Sequence, residues 1–312
     1  MHNSAILFII FNRPGTTQQV FDAIKKAQPT RLYIAADAAR AGNTTDAEKC
    51  KAARAITEQI DWPCDAKRLF RDENLGCGKA VSEAINWFFA SEPEGIILED
   101  DCVPHPDFFP FATAMLERYR NDHRIISING SNLGYQPATN NSYSFSRFMN
   151  MWGWATWRDR AIQVDYQMNE WKTTRTKSWW VFKHTKQHIF DSDINWYRLW
   201  CAKFNTVASD PGFTWDWQWV YHQLRRRQLS IVPSVNLITN IGFDADATHT
   251  HEAVNPAANI PTLAMLFPIQ HPVQMKPDFI FEEEYVKWVW CYHRRLPKLF
   301  YIKQFISRLI GR

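Results

Sequence analysis

The sequence lacks the marks of several protein classes. No apolar run reaches the ~18 residues of a membrane span. The apolar stretch at 5–11 is too short for a signal peptide and has no basic start or small-residue cleavage site. It runs straight into Asn12-Arg13-Pro14-Gly15, a turn, so a buried strand without a leader is expected. None of the six cysteines (Cys50, Cys64, Cys77, Cys102, Cys201 and Cys291) forms a C-x-x-C pair. That leaves neither a zinc knuckle nor a thioredoxin-like site, and scattered thiols point to a reducing, cytoplasmic setting. The formal net charge of +4 is too mild to call for nucleic acid. No Walker spacing, internal repeat or low-complexity tract occurs. Acidic residues are missing from 287–312, which holds Lys287, Arg294, Arg295, Lys298, Lys303, Arg308 and Arg312.

What is present points to a packed protein. Of 312 residues, 46% are hydrophobic and 22% charged, enough for one large domain or two coupled halves. Aromatic residues make up 15%, with 15 Trp. Most belong in a core, and any surplus in loops would suit stacking on sugars or bases.

The first hundred residues alternate strand and helix patterns. Strands are expected at 5–11, 31–35, 66–70 and 95–98. Helices are expected after a Thr16 or Thr17 cap, over 46–60 and over 78–90. This rhythm implies a parallel sheet with helices on both faces. Ligands then bind outside the carboxyl ends of the strands. The rule selects Asn12-Arg13, Asp37, Asp72-Glu73-Asn74 and Glu99-Asp100-Asp101. Beyond residue 124 the pattern changes. Strands are expected at 124–128 and 229–235, and helices at 178–190 and 196–204, with an aromatic, irregular stretch at 143–157 and an extended linker at 255–277.

Three consecutive acids directly after a buried strand repel one another and are costly to desolvate. A divalent cation would relieve that cost, and oxygen ligands favour Mg²⁺ or Mn²⁺. A solvated acidic turn is the other reading. Lys79 follows Asn74-Leu75-Gly76-Cys77-Gly78 at a helix start, where N–H groups and an ammonium favour anions; a solvated lysine is the alternative. Asp216 stands among Trp215, Trp217 and Trp219. Apolar surroundings raise a carboxyl pKa and suit a general base, and a helix cap over 217–227 is the competing role. Met151-Trp152-Gly153-Trp154 could let backbone approach a ligand at Gly153, or its rings could be core. Apolar residues at helical spacing in 297–312, with basic residues between, make an amphipathic helix. It would lie on an anionic membrane surface or dock on the protein.

The segment Gly95-Ile96-Ile97-Leu98-Glu99-Asp100-Asp101-Cys102-Val103-Pro104, followed by Asp107-Phe108-Phe109, resembles the metal-binding segment of nucleotide-diphospho-sugar glycosyltransferases of the GT-A fold. It is most like the N-acetylglucosaminyltransferases of the Golgi and O-mannose type and related bacterial glycosyltransferases. The resemblance implies a GT-A-like, Rossmann-like α/β fold: a mostly parallel sheet flanked by helices, with an acceptor-binding second half. It implies a UDP-sugar donor, a Mn²⁺ or Mg²⁺ cofactor, and a glycan or lipid-linked glycan acceptor. Asp101 would bind the metal, and Asp100 and Glu99 would reach the ribose and sugar. Asn12 and Arg13 would open the nucleotide pocket, Asp37 would meet the uracil edge, and Asn74 and Lys79 would border the diphosphate. Gly153 and Trp154 would lie beside the donor sugar. Asp216 would be the catalytic base of an inverting reaction, and His249, rather than the neighbouring His251, a further metal ligand. Residues 1–130 would bind the nucleotide sugar, 131–255 the acceptor, and 256–312 would be an extension carrying the basic helix. Peripheral contact with the inner membrane face would follow from that helix.

Two other functions compete. A sugar-phosphate nucleotidyltransferase would need a Gly-rich basic loop after the first strand, and Asn12-Arg13-Pro14-Gly15 is poor in glycine. A non-enzymatic carbohydrate-binding protein would explain the tryptophans but not the acids.

Overall fold

The computed structural model describes residues 4–174, 196–243 and 257–289. The chain begins with β1 (Ala5–Ile10), whose side chains alternate between two cores. Ala5 and Leu7 face one; Ile6, Phe8 and Ile10 face the other. A strand buried on both faces needs a continuous apolar run, and this one has it. Helix α1 (Pro14–Ala27) follows, with proline in its first turn. The expected threonine cap is not found. Thr16 and Thr17 hydroxyls donate back to the Arg13 carbonyl at 3.1 and 2.8 Å, because they sit inside the helix that Pro14 opens.

Strands β2 (Arg31–Ala36), β3 (Asp65–Phe70) and β4 (Glu94–Glu99) are linked through helices α2 (Thr44–Ile56) and α3 (Gly76–Ser91). Next come β5 (Cys102–Pro104), α4 (Phe108–Tyr119), β6 (Ile125–Asn129), β7 (Tyr143–Ser146) and β8 (Trp154–Trp157). Short helices α5 (Arg158–Ala161) and α6 (Asn169–Thr174) precede α7 (Trp196–Ser209) and α8 (Asp216–Arg226). The described chain ends with β9 (Leu229–Pro233), β10 (Ile238–Asn240) and α9 (Phe279–Val289).

Eight strands form one sheet in the order β3-β2-β1-β4-β8-β6-β9-β7. The first four are parallel, β8 is antiparallel to both neighbours, β6 and β9 are parallel, and β7 closes the edge antiparallel to β9. Helices α1, α2 and α4 cover one face, while α3, α7 and α8 cover the other. This is the expected α/β class: a mostly parallel sheet flanked by helices. The sheet continues across residue 130, since β8 lies between β4 and β6.

Two expectations need correction. The stretch at 143–157 is not wholly irregular, since it contains β7 and β8. Four residues buried on both faces show no alternation from which a strand could be read. The linker is also packed against the body where it is described. Its backbone donates from Asn259 to the Asn240 carbonyl (3.0 Å) and from Leu263 to the Asn236 carbonyl (2.9 Å). Met265 N–H reaches the Asp107 carboxylate at 2.9 Å. Its backbone N–H groups are thus bonded to the body of the protein and do not run as a free tether. The expected helix at 178–190 and the basic helix at 297–312 lie outside the described residues. Among the described residues no helix is long and apolar enough to cross a membrane.

His222, on α8, is only 5% exposed. Burial, aided by Arg226, pushes its pKa down from 6.5 to about 4. Above pH 6.5 it is neutral in both folded and unfolded chains. Below that the unfolded chain takes up a proton that the folded chain refuses. The contribution of His222 to stability should therefore fall as pH drops from 6.5 to 4, by about 3 kcal/mol, while buried Asp100, raised to about 6, works in the opposite sense. The difference in urea midpoint between wild type and His222→Gln, measured across this window, should show that fall.

Candidate active site

The parallel strands end in register. Ile9 pairs with Glu99, Ile10 with Ala36, and Ala36 with Phe70. The loops that follow β1, β2, β3 and β4 therefore leave one edge of the sheet, as the strand-end rule requires.

The acid triple lies on that edge. Asp100 is almost wholly buried, and Asp101 keeps 15% of its side chain exposed. Asp100 Oδ2 accepts from Phe11 N–H at 3.1 Å, which ties the acids to the end of β1. The Arg13 guanidinium donates to Asp100 Oδ1, and its Nη2 lies 3.0 Å from Asp101 Oδ2. The Cys102 thiol donates to Asp101 Oδ1 at 3.2 Å. Burial pushes the Glu99 pKa well above its ordinary value, and the charges of Asp101 and Asp100 push it further. Burial also raises Asp100 to about 6, against the pull of Arg13. Burial disfavours the Arg13 charge as well, but Asp100 and Asp101 more than offset it, and its pKa rises. Three acids thus share one paired arginine among the described residues, and negative charge is in surplus.

Gly242 packs against the Arg13 side of this cluster. A Cβ at Gly242 would overlap the Asp101 carboxylate and lie 2.8 Å from Arg13 Nη1. Ile241 N–H donates to the Asp101 carbonyl at 2.9 Å, so the segment after β10 is fastened to the acid turn. The position of β10 depends in turn on Gly153. That residue has φ +59°, and a Cβ there would sit within 2.7 Å of Ile238 Cγ1. Gly153 therefore serves packing of backbone against β10. Trp154 is fully buried, stacked on Trp215 (6.0 Å) and edge-on to Trp219 (4.9 Å). It is packed among core rings and presents no exposed surface to a ligand. Trp152 is half-buried and packs edge-on to Phe243 at 5.6 Å.

Asn12 belongs to a second network. Its Nδ2 donates to Asp46 Oδ1 at 2.8 Å, and Arg40 Nη2 donates to the same oxygen at 2.8 Å. The bond from Arg40 holds the Asp46 carboxyl down at about 2, against its burial. Asp46 was legible only as a helix residue, since its partners come from two separate loops.

Asp37 holds the turn that starts α3. Its carboxylate accepts from Leu75 N–H (3.0 Å), Gly76 N–H (3.1 Å), Asn74 Nδ2 (3.1 Å) and its neighbour Ala38 N–H (3.0 Å). It thereby satisfies donors at a helix N-terminus from a distant loop. Burial raises its pKa, and the three backbone N–H bonds oppose the rise. Asn74 Nδ2 also reaches the Ala38 carbonyl at 2.7 Å. Lys79 is 61% exposed, 3.9 Å from Glu83 at i+4.

Asp216 opens α8, one residue inside the helix. Its Oδ1 accepts from Trp217 N–H at 2.9 Å and from the Thr214 hydroxyl. This carboxylate is near enough to the triple for its charge to be felt there. Its charge helps raise the Glu99 pKa. The Cys77 thiol, at the first turn of α3, is pushed up by burial and then by Glu99, Asp216 and Asp101 together. Cys77 therefore sits in the field of all three acids.

Gly78 makes this approach possible, a role the sequence reading did not give it. A Cβ at Gly78 would overlap the Gly212 carbonyl and lie 3.0 Å from the Thr214 carbonyl oxygen. The partners are backbone, so little can yield. Gly78→Ala should cost about 1–3 kcal/mol in stability and push the Asp216 loop off α3. Thermal melting together with a turnover assay should show both losses.

The end of the described chain also supports the site. Glu282, fully buried, accepts from Arg147 N–H and Nη2, each at 2.6 Å. Tyr285 donates to the Met149 carbonyl at 2.8 Å, and its pKa is raised by burial and by Asp216. Nothing in the sequence singled these residues out, because an acid and a tyrosine on a helix have no local signature.

Among the described residues no three His, Cys, Asp or Glu side chains converge as a metal cage. His249 and His251 lie outside the described residues.

No family model matches the chain, and no curated protein matches it by sequence. Solved structures similar to it include HddC from Yersinia pseudotuberculosis, at 10% identity and a TM-score of 0.30, covering 51% of this chain and 78% of that one. The same protein complexed with GMP-PN gives 11% and 0.31 over the same shares. Mouse xyloside xylosyltransferase 1, in its apo form, gives 10% and 0.32, covering 72% of this chain and 82% of that one. At these scores the likeness carries no argument about activity.

Proposed function

We propose that the chain is a metal-dependent, inverting glycosyltransferase that moves a sugar from a nucleotide-diphosphate donor, UDP by resemblance, to a glycan or lipid-linked glycan. The observation that carries this reading is the acid triple at the carboxyl edge of the parallel strands, where Arg13 bridges Asp100 and Asp101.

The acids fit a hard divalent cation. Such an ion uses one or two carboxylates and completes its shell with water and phosphate oxygens, so no all-protein cage is needed. Asp101, the triple's partly exposed terminal acid, would hold Mn²⁺ or Mg²⁺, with His249 as a further ligand by resemblance. When bound, the ion would supply positive charge for the leaving diphosphate. Arg13 and Asn12 would border the ribose and phosphates, and Asp100 and Glu99 the ribose and sugar. Asp37, Asn74 and Lys79 would shape the base and diphosphate side, with Gly153 and Trp154 behind the donor sugar. The carboxylate of Asp216 would take the acceptor hydroxyl proton. The acceptor oxygen then bonds to the anomeric carbon as the bond to phosphate breaks. Residues 131–255 would bind the acceptor. The basic segment at 297–312 would rest on the inner membrane face, which suits a lipid-linked acceptor and a cytoplasmic protein.

Incubation with a panel of nucleotide sugars and Mn²⁺ tests this. Mn²⁺-dependent release of nucleoside diphosphate, by slow hydrolysis or transfer, is expected. Pyrophosphate-dependent exchange would instead mark a nucleotidyltransferase, and sugar binding without turnover a binding protein.

A further inference from the structure

Arg13 is 18% exposed and turned inward, against the acids. It bridges two of them, donating to Asp100 Oδ1 and lying 3.0 Å from Asp101 Oδ2. The other oxygen of Asp101 accepts the Cys102 thiol at 3.2 Å. Both oxygens of the proposed metal-binding carboxylate are therefore engaged by the protein itself. Gly242 packs against the same oxygen that Arg13 holds, since even one added carbon there would overlap Asp101 Oδ2 and crowd Arg13 Nη1 at 2.8 Å. An oxygen bound to Mn²⁺ or Mg²⁺ at roughly 2.1 Å cannot also keep a guanidinium at hydrogen-bond distance on the same side.

We infer that Arg13 guards Asp101: without nucleotide its guanidinium stands in the cation's place, and a diphosphate must draw it away before the ion binds. The inference rests on the transferase reading and adds an order of assembly to it. A diphosphate is a suitable lure, because guanidinium and phosphate form paired, charge-assisted hydrogen bonds. Once Arg13 has moved, Asp101 regains an open oxygen beside two acids short of countercharge. Nucleotide and cation then strengthen each other's binding, and the coupling is reciprocal. The guard also keeps the buried acids compensated when no ligand is bound, where unpaired charge is costly.

Mn²⁺ binding to the full chain, read by electron paramagnetic resonance of the free ion, tests this without any turnover. Wild type should bind Mn²⁺ weakly alone and at least tenfold more tightly with UDP. Arg13→Gln should bind Mn²⁺ alone at least tenfold more tightly than wild type, and UDP should add little. If the glutamine variant does not fold, Arg13→Lys serves, because a point charge cannot bridge both acids. It should bind Mn²⁺ alone at least threefold more tightly than wild type. A folded Arg13 variant that binds Mn²⁺ alone no better than wild type, while wild type still takes Mn²⁺ with UDP, overturns the guard and leaves the transferase reading standing. Wild type that takes no Mn²⁺ even with UDP overturns both.

Discussion

Asp101→Ala is expected to abolish sugar transfer, by at least about 10³-fold, in line with the loss of a main electrostatic stabiliser. The same loss is expected when wild type is treated with a chelator, and added Mn²⁺ should restore wild type but not the variant. The fold should survive. Asp101 is partly exposed, and its charge adds to the cost of keeping Glu99 ionised. Arg13 retains its bond to Asp100 when Asp101 is gone. Removing one of three crowded acids therefore relieves repulsion, and the melting temperature should stay level or rise. A variant that loses activity and also melts early would point to a structural role for Asp101 instead. Steady-state turnover and thermal melting, measured on the same preparation, separate these outcomes.

Asp216→Asn should lower kcat by roughly 10²–10⁴, the usual worth of a general base, while nucleotide binding stays within about twofold of wild type. The amide oxygen can still accept from Trp217 N–H, so the start of α8 should hold. Trp215 and Trp219 remain buried against Trp154, which anchors the segment independently of the carboxylate. A drop in kcat with donor affinity preserved distinguishes a base from a cap. If donor affinity falls as much as kcat, the carboxylate is holding the loop against α3 and not removing a proton.

The parts of this site that were legible in sequence are those carried by long, uniform signals. β1 is an unbroken apolar run, β2 and β4 are apolar inside charged end residues, and the acid triple begins at the last residue of β4. Helix α3 showed in the spacing of Val81, Ala84, Ile85, Phe88 and Phe89, all of which are buried. Short elements left no trace, because β5 and β10 have three residues each, too few for any period. Their pairing nevertheless decides where Gly242 meets Asp101. Contacts between distant loops were equally silent. Arg13 could be placed near a ligand by resemblance, but its grip on Asp100 and Asp101 depends on a register 87 residues away along the chain. Asp46, Gly78 and Glu282 act through partners of the same long-range kind. Trp154 shows the converse: a tryptophan beside a site residue reads the same whether it lines a cavity or fills the core.

The most direct test is calorimetry of UDP binding with and without Mn²⁺, on wild type and Asp101→Ala. Mn²⁺ should tighten UDP at least tenfold in wild type and have no effect in the variant. Equal affinity with and without the ion in wild type, or a Mn²⁺ effect that persists after Asp101 is removed, would contradict a cation held between that carboxylate and the diphosphate.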